Sequence, residues 1–325
     1  MNKRVAFIIP VYNRPQEVRE LLASMVAYGT RTEEWEVIIV EDGSTERSED
    51  VALEYSDRLS ILYFNKPNGG PSSARNFGAR YAAAQMLVFL DSDTTILPGY
   101  INTVLDNKSP FWGGADRSSP DFSPMQRAVS YAMTSPLTTG GIRGGGEKMD
   151  KFYPRSFNMG IDHALYDSVG GFDESMRYGE DVDLSYRLTS AGARAVLLRG
   201  AEVCHKRRTN LAGFFRQVHH SGEARIVLTK RHPGTLKIVH LLPAAFTIGS
   251  LLCLLLALLW CWWWLLPIGI VALAWMLDAL LREKSLRVAL LALPACFTQL
   301  YGYGIGFIKG LFLPLFCKKA APKNF

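Results

Sequence analysis

Residues 236–316 carry few charges and are crowded with Leu, Ile, Val and Trp, whereas charges are spread through the first two-thirds of the 325-residue chain. A chain patterned this way does not fold as one water-soluble globule. It divides into a soluble head, long enough to bury its own core, and an apolar tail. Within the tail, residues 238–259 and 260–281 each supply the roughly 20 apolar residues that a spanning helix needs. They read as a hairpin of spans, with Trp260, Trp262, Trp263 and Trp264 as an aromatic belt at the far interface. The third run, 286–316, would reach about 46 Å as one helix at about 1.5 Å per residue, beyond a hydrocarbon core. It must tilt, kink at Pro294, or begin as an interfacial segment. Lys318, Lys319 and Lys323 favour a cytoplasmic C-terminus, but three crossings from a cytoplasmic head would put that end outside. Two and three crossings both stay open.

The formal charge of +6 is concentrated just ahead of the tail, in Lys206, Arg207, Arg208, Arg216, Arg225, Lys230, Arg231 and Lys237. Beside apolar spans, such a cluster suits anionic membrane lipids. Nucleic acid is not expected as a partner, because no recognition motif accompanies the basic residues. Residues 211–229 interleave Phe214, Phe215 and Val218 with basic side chains, and fit either a helix lying in the membrane interface or a soluble packing helix. Cys253, Cys261, Cys296 and Cys317 lie in or beside the tail and only Cys204 in the head, which gives neither a disulfide framework nor a zinc spacing. The first apolar run is interrupted by Pro10 and has no cleavage site, so it is no signal peptide and the head is expected in the cytoplasm, at the inner membrane. The expected organisation is a catalytic head over 1–210, an amphipathic linker over 211–235, a transmembrane region over 236–317 and a basic tail over 318–325.

In the head, residues 5–9, 37–40 and 86–90 are apolar runs suited to strands buried on both faces of a parallel sheet. Helix-like stretches at 17–28, 46–55 and 72–84 alternate with them, which predicts an α/β doubly wound, mainly parallel sheet. Ligands of such sheets bind beyond the carboxyl ends of the strands. Pro10-Val11-Tyr12-Asn13, Glu41-Asp42-Gly43-Ser44 and Asp91-Ser92-Asp93 fall at three such ends. After residue 110 the pattern loosens. Residues 140–146 are too glycine-rich for a regular element and form a loop, or a lid bringing Arg143 or Lys148 to a phosphate. Residues 157–161 read as a strand, 170–173 as a turn, and 180–190 as a helix that Gly192 ends, with Asp181 and Asp183 complementing its dipole.

Asp91 and Asp93 are two residues apart, so continued strand geometry would turn both carboxylates to one face. Paired hard oxygens suit Mg²⁺ or Mn²⁺, the charge needed to offset a departing diphosphate, and the alternative is a turn in which both only satisfy local geometry. Asp42 can accept hydrogen bonds from a base or ribose, or cap the helix that follows. Arg75, in the glycine-led helix start at 68–76, can reach a phosphate or pair with a carboxylate. Glu180 and Asp181 are candidates for a general base or simply stabilise a helix N-terminus. His205 is a candidate metal ligand or a structural histidine.

Taken together in this order, the motifs resemble the family 2 glycosyltransferases, inverting enzymes of the GT-A fold. The matching segments are Ile8-Ile9-Pro10-Val11-Tyr12-Asn13, Glu41-Asp42-Gly43-Ser44, Gly70 to Asn76, Leu90-Asp91-Ser92-Asp93, Gly170-Gly171-Phe172-Asp173-Glu174 and Gly179-Glu180-Asp181-Val182-Asp183, covering about residues 5–205. The resemblance implies a membrane-anchored enzyme that moves a sugar from a nucleotide-sugar donor, UDP-linked in the leading reading, to a glycan or lipid-linked acceptor of the cell envelope. It implies that Tyr12 and Asp42 contact the base, Asp91 the ribose or metal region and Asp93 the metal, and that Asp181 is the catalytic base. Glu41 stands where the family often has aspartate. Gln217-Val218-His219-His220-Ser221 does not match the Gln-x-x-Arg-Trp of polymerising members, which weighs against processive synthesis. Two other classes compete with this reading: a nucleotidyltransferase, which would carry a glycine-rich loop with lysine after the first strand where Pro10 to Pro15 stand, and an inactive nucleotide-sugar-binding scaffold, against which the intact Asp42, Asp93 and Asp181 argue.

Overall fold

Side chains that tolerate burial on both sides fill the centre of the first unit. A computed structural model describes residues 3–117, 122–139 and 152–312, and in it the chain forms two units, one of residues 1–119 with 150–206 and one of residues 120–149 with 207–325. Among its described residues the first has ten strands: β1 Val5–Val11, β2 Trp35–Asp42, β3 Ile61–Lys66, β4 Met86–Leu90, β5 Thr94–Ile96, β6 Phe111–Gly113, β7 Asp116–Arg117, β8 Asn158–Asp162, β9 Val196–Leu197 and β10 Val203–His205. Seven of them form one sheet in the order β3-β2-β1-β4-β8-β6-β9. The four strands β3, β2, β1 and β4 run parallel, and β8 is antiparallel to its neighbours β4 and β6. This is the expected mainly parallel α/β sheet. Phe7, Ile9, Val37 and Ile39 face one layer with Leu21, Leu22 and Met25 of helix Pro15–Tyr28, while Ile8, Ile38 and Val40 face the other. Helix Pro71–Tyr81 lies on that second layer at Gly78, where a side chain would strike Ile8.

A smaller sheet has the order β5-β10-β7. Its β10 runs antiparallel to β5 with His205 opposite Thr94. That register brings a residue more than a hundred positions downstream to the end of β4. Three-residue strands of mixed polarity carry almost no periodic signal, so the sequence pattern did not anticipate this sheet. The strand at β3 was also missed, because Asn65 and Lys66 break its apolar run at the edge of the sheet.

The second unit is helical. Leu242–Leu259, Trp262–Glu283 and Leu286–Phe312 are each long and apolar enough to cross a membrane, and side chains such as Leu258, Leu259 and Trp260 point outward and exposed. Pro294 lies inside the third helix without ending it, and at 27 residues that helix measures about 40 Å. Helix Leu211–Arg231 packs on it through glycines: a side chain at Gly302 would meet Val218, one at Gly306 the carbonyl of His219, and one at Gly310 Ile226. Close backbone approach of this kind is the packing device of helices in lipid. Several charges of the helical unit are paired. Asp278 accepts from Tyr131 Oη at 2.7 Å and from Arg282 Nε at 2.9 Å, and Glu283 accepts from Arg127 Nε at 2.9 Å. Tyr131 and Arg127 belong to helix Pro124–Thr134, which the sequence pattern left unassigned. The glycine-rich 140–146 segment with Arg143 and Lys148, and Cys317, Lys318, Lys319 and Lys323, lie outside the described residues.

Candidate active site

The carboxyl ends of β1 and β2 are tied to each other before any ligand is considered. Asn13, in the left-handed region at φ 53°, accepts from the backbone N–H of Thr45 at 2.7 Å and of Glu46 at 2.9 Å, and donates its own N–H to Ser44 Oγ at 2.9 Å. Ser44 donates in turn to Glu41, which is fully buried and also accepts from the N–H of Ser48 at 2.7 Å. Glu41 therefore fixes the loop after β2, and its extra methylene is used to reach Ser48. Tyr12, 54 % exposed, stands free above this loop beside the half-buried Pro10.

Asp42 does not cap the following helix, whose N-cap residue is Ser48. Its Oδ1 accepts from Lys66 Nζ at 2.6 Å and from the N–H of Gly69 at 2.8 Å, and its Oδ2 accepts from the N–H of Gly70 at 2.7 Å. The carboxylate thus holds the loop that leads into helix Pro71–Tyr81. Gly43 is needed here, since at φ +76° a side chain would run into Asn68. Lys66, the last residue of β3, was not singled out from the sequence; recognising β3 would have put it at the same sheet edge as Asp42.

Asp91 and Asp93 meet by a different route from the one the spacing suggested. The strand stops at Leu90, and a turn follows in which the N–H of Thr94 donates to the carbonyl of Asp91 at 3.1 Å. The turn, not strand alternation, gathers the carboxylates. Asp93 Oδ1 lies 3.2 Å from His205 Nε2 and Oδ2 lies 2.5 Å from Arg14 Nη1. Oxygen atoms of Asp91 and Asp93 and a ring nitrogen of His205 all fall within 4.8 Å of one another, and the imidazole is stacked on Phe157 at 4.9 Å. Burial works against the charge on Asp93, yet His205 and Arg14 outweigh it and hold the carboxyl well below the usual carboxylate range. Two carboxyl oxygens and an imidazole that converge in this way fit a divalent cation such as Mg²⁺ or Mn²⁺. Arg14 was not anticipated, although it lies only three residues past the end of β1.

Arg75 joins this cluster to the start of helix Glu180–Ser190. Its side chain is 4 % exposed, with Nη2 2.7 Å from Asp91 Oδ1 and Nη1 3.2 Å from Glu180 Oε1, and its guanidinium lies over the Phe172 ring at 5.3 Å. Phe172 is itself held by Asn76, which accepts from the Phe172 N–H at 2.9 Å and donates to the Phe172 carbonyl at 2.9 Å. The Gly170-to-Glu174 turn and the 70–76 helix start are thus one clip. Asp181 sits 3.4 Å from Arg155 Nη1, with its Oδ1 accepting from the N–H of Val182. Asp183 is buried and pairs with Arg187 at 2.9 Å, a structural role.

Glu180 is unusual for an acid beside an arginine. Burial first, and the charge of Asp181 second, push its carboxyl up from 4.5 to about 7 against the pull of Arg75. Its folded value thus lies above its unfolded one, so the native protein holds an extra proton between the two. The stability tied to that proton is fully present below about pH 4 and is lost as pH rises through about 7. Glu180→Gln is expected to flatten this slope by roughly 2 kcal/mol between pH 5 and pH 8, as read from urea midpoints. A parallel slope in wild type and variant would contradict the assignment.

Residues 6–128 match the profile described as Glycosyl transferase family 2. Over 236 residues the chain is 30 % identical to the validoxylamine A glucosyltransferase of Streptomyces hygroscopicus subsp. jinggangensis, a match covering 62 % of this chain and 56 % of that relative. The chain thus spans a little over half of that relative's length. Succinoglycan biosynthesis protein ExoA of Rhizobium meliloti is 24 % identical over 282 residues, covering 82 % of each chain. Among solved structures, the mannosyltransferase PcManGT from Pyrobaculum calidifontis, determined in complex with GDP-Man and Mn²⁺, superposes with a TM-score of 0.59 at 16 % identity, covering 96 % of this chain and 88 % of that one. That likeness is one of fold, the GT-A type.

Proposed function

We propose that the chain, whose residues 6–128 match the glycosyl transferase family 2 profile, is a membrane-anchored, inverting transferase that moves a sugar from a nucleotide-sugar donor, UDP-linked first, to a hydroxyl of a glycan or lipid-linked acceptor. The observation that supports this most is the buried Arg75, which ties Asp91, just past the end of β4, to Glu180 at the start of the helix that carries Asp181. Tyr12 offers an exposed ring for the base, beside a loop already fixed by Asn13, Glu41 and Asp42. Asp91, Asp93 and His205 would hold Mg²⁺ or Mn²⁺, which when bound supplies positive charge near the diphosphate. Arg14 keeps Asp93 ionised and oriented, and Arg75 orients Asp91.

Asp181 takes the proton of the acceptor hydroxyl as the acceptor oxygen bonds to the anomeric carbon. The bond from that carbon to the diphosphate oxygen breaks on the opposite face, so configuration inverts and no covalent enzyme intermediate forms. The three apolar helices anchor the chain in the cytoplasmic membrane with the transferase unit on its inner side. A panel of nucleotide sugars with Mn²⁺, read by thermal unfolding, tests the reading: a bound donor at about 100 times its Kd adds about 2.7 kcal/mol. The absence of any stabilising nucleotide sugar, together with no release of sugar from donor, would sink the proposal.

A further inference from the structure

A second group of metal-competent side chains lies within the helical unit, on helix Leu211–Arg231. His219 and Glu223 are four residues apart and His220 precedes Glu223 by three, so each histidine is placed beside Glu223. Glu223 divides its two oxygens. Oε1 lies 2.7 Å from Lys309 Nζ, and Oε2 faces the Nδ1 atoms of both His220, at 3.1 Å, and His219, at 3.9 Å. Ligand atoms of the three fall within 4.8 Å of one another.

The backbone beneath these ligands is fixed. The carbonyl of His219 lies against Gly306 and the Cα of Glu223 against Gly310, both on helix Leu286–Phe312, and the His219 ring stacks on Phe215 at 5.9 Å. The ligands are still reachable, with His219 and Glu223 side chains each 16 % exposed and His220 33 %. A separation of 3.9 Å is too long for a hydrogen bond. Two ligands bound to one ion at about 2.0–2.1 Å stand roughly 3–3.5 Å apart at tetrahedral angles, so small side-chain rotations bring both imidazoles and Oε2 onto a single centre.

We infer that His219, His220 and Glu223 form a binding site for a borderline transition-metal ion of the Zn²⁺ class, with the rest of the coordination sphere open to solvent. Two imidazoles and one carboxylate select such an ion over Mg²⁺, the reverse of the Asp91, Asp93 and His205 set. Lys309 holds Oε1 and orients the carboxylate, while its charge opposes the incoming ion.

The test uses full-length protein in detergent, with Asp93→Asn and His205→Asn combined to silence the first cluster. Zn²⁺ is titrated by equilibrium dialysis, and Co²⁺ serves as a visible-absorption probe of coordination. One Zn²⁺ per chain is expected, weakened at least about 10-fold by His219→Asn or by His220→Asn and tightened several-fold by Lys309→Met. A plain ion-pair network gives the opposite pattern: no stoichiometric Zn²⁺ in the parent, and a Lys309→Met variant that loses stability without gaining affinity. Should His219→Asn fail to fold, the more exposed His220→Asn carries the comparison. Zn²⁺ affinity that is absent in the parent, or unchanged in a folded His220→Asn, overturns the inference.

Discussion

Asp93→Ala is expected to lower transfer by at least about 10²–10³-fold, the usual cost of removing one group that stabilises developing charge, and to weaken donor binding with it. The carboxylate is buried between Arg14 and His205, so its removal also takes the nearest counter-charge from Arg14. Breaking a buried pair from one side costs about 3–5 kcal/mol, and a lower thermal midpoint is therefore part of the expected result. Asp93→Asn separates the two effects, because it keeps shape and hydrogen bonding to Arg14 while giving up the ionised oxygen. It should regain most of the stability and little of the activity. Wild-type protein treated with excess chelator should lose transfer to a similar degree at an unchanged fold. Full transfer under those conditions would leave Asp91 and Asp93 as partners of Arg75 and Arg14 only.

Arg14 marks one place where sequence reasoning ran out. The central strands were legible because their side chains are buried on both faces and need no polar alternation: the run at 86–90 is β4 to the residue, and 180–190 is a helix with the same bounds. The acidic residues were legible as residues, since each falls at the end of a strong element. Apart from Arg75 and His205, their partners were not. Arg14, Lys66 and Arg155 sit 79, 24 and 26 positions from the carboxylates they contact, and nothing local distinguishes them from surface cations. His205 was recognised as a candidate ligand, yet what carries it to Asp93 is the pairing of two three-residue strands, below the length at which alternation can be read. The turn at Asp91 shows the complementary case, in which the right pair of residues came from the wrong local geometry. In the helical unit, the length and apolar content of the spans were plain from composition. The packing of Leu211–Arg231 through Gly302, Gly306 and Gly310 required knowing which helix it faces.

Asp181→Asn isolates catalysis from binding at the acidic helix start. Asparagine keeps the size of the side chain and can still accept from the N–H of Val182, the bond that Oδ1 makes in the native helix. It cannot take a proton from an acceptor hydroxyl. If Asp181 is the base, turnover should fall by about 10²–10⁴-fold with donor affinity nearly unchanged, since the groups assigned to the donor lie on Tyr12, Asp42, Asp91 and Asp93. If the carboxylate serves only the helix terminus, asparagine is as good there and both activity and stability stay near wild type. Glu180→Gln supplies the contrast. Glu180 is held by Arg75 at 3.2 Å and rises to about 7 through burial and the charge next to it, so its substitution should reshape the pH profile and loosen Arg75 from Asp91 more than it removes turnover. A base at 181 and a positioning acid at 180 therefore give different signatures, one in turnover at all pH values and one in the shape of the profile. Wild-type turnover in Asp181→Asn, with the large loss found instead in Glu180→Gln, would exchange the two roles.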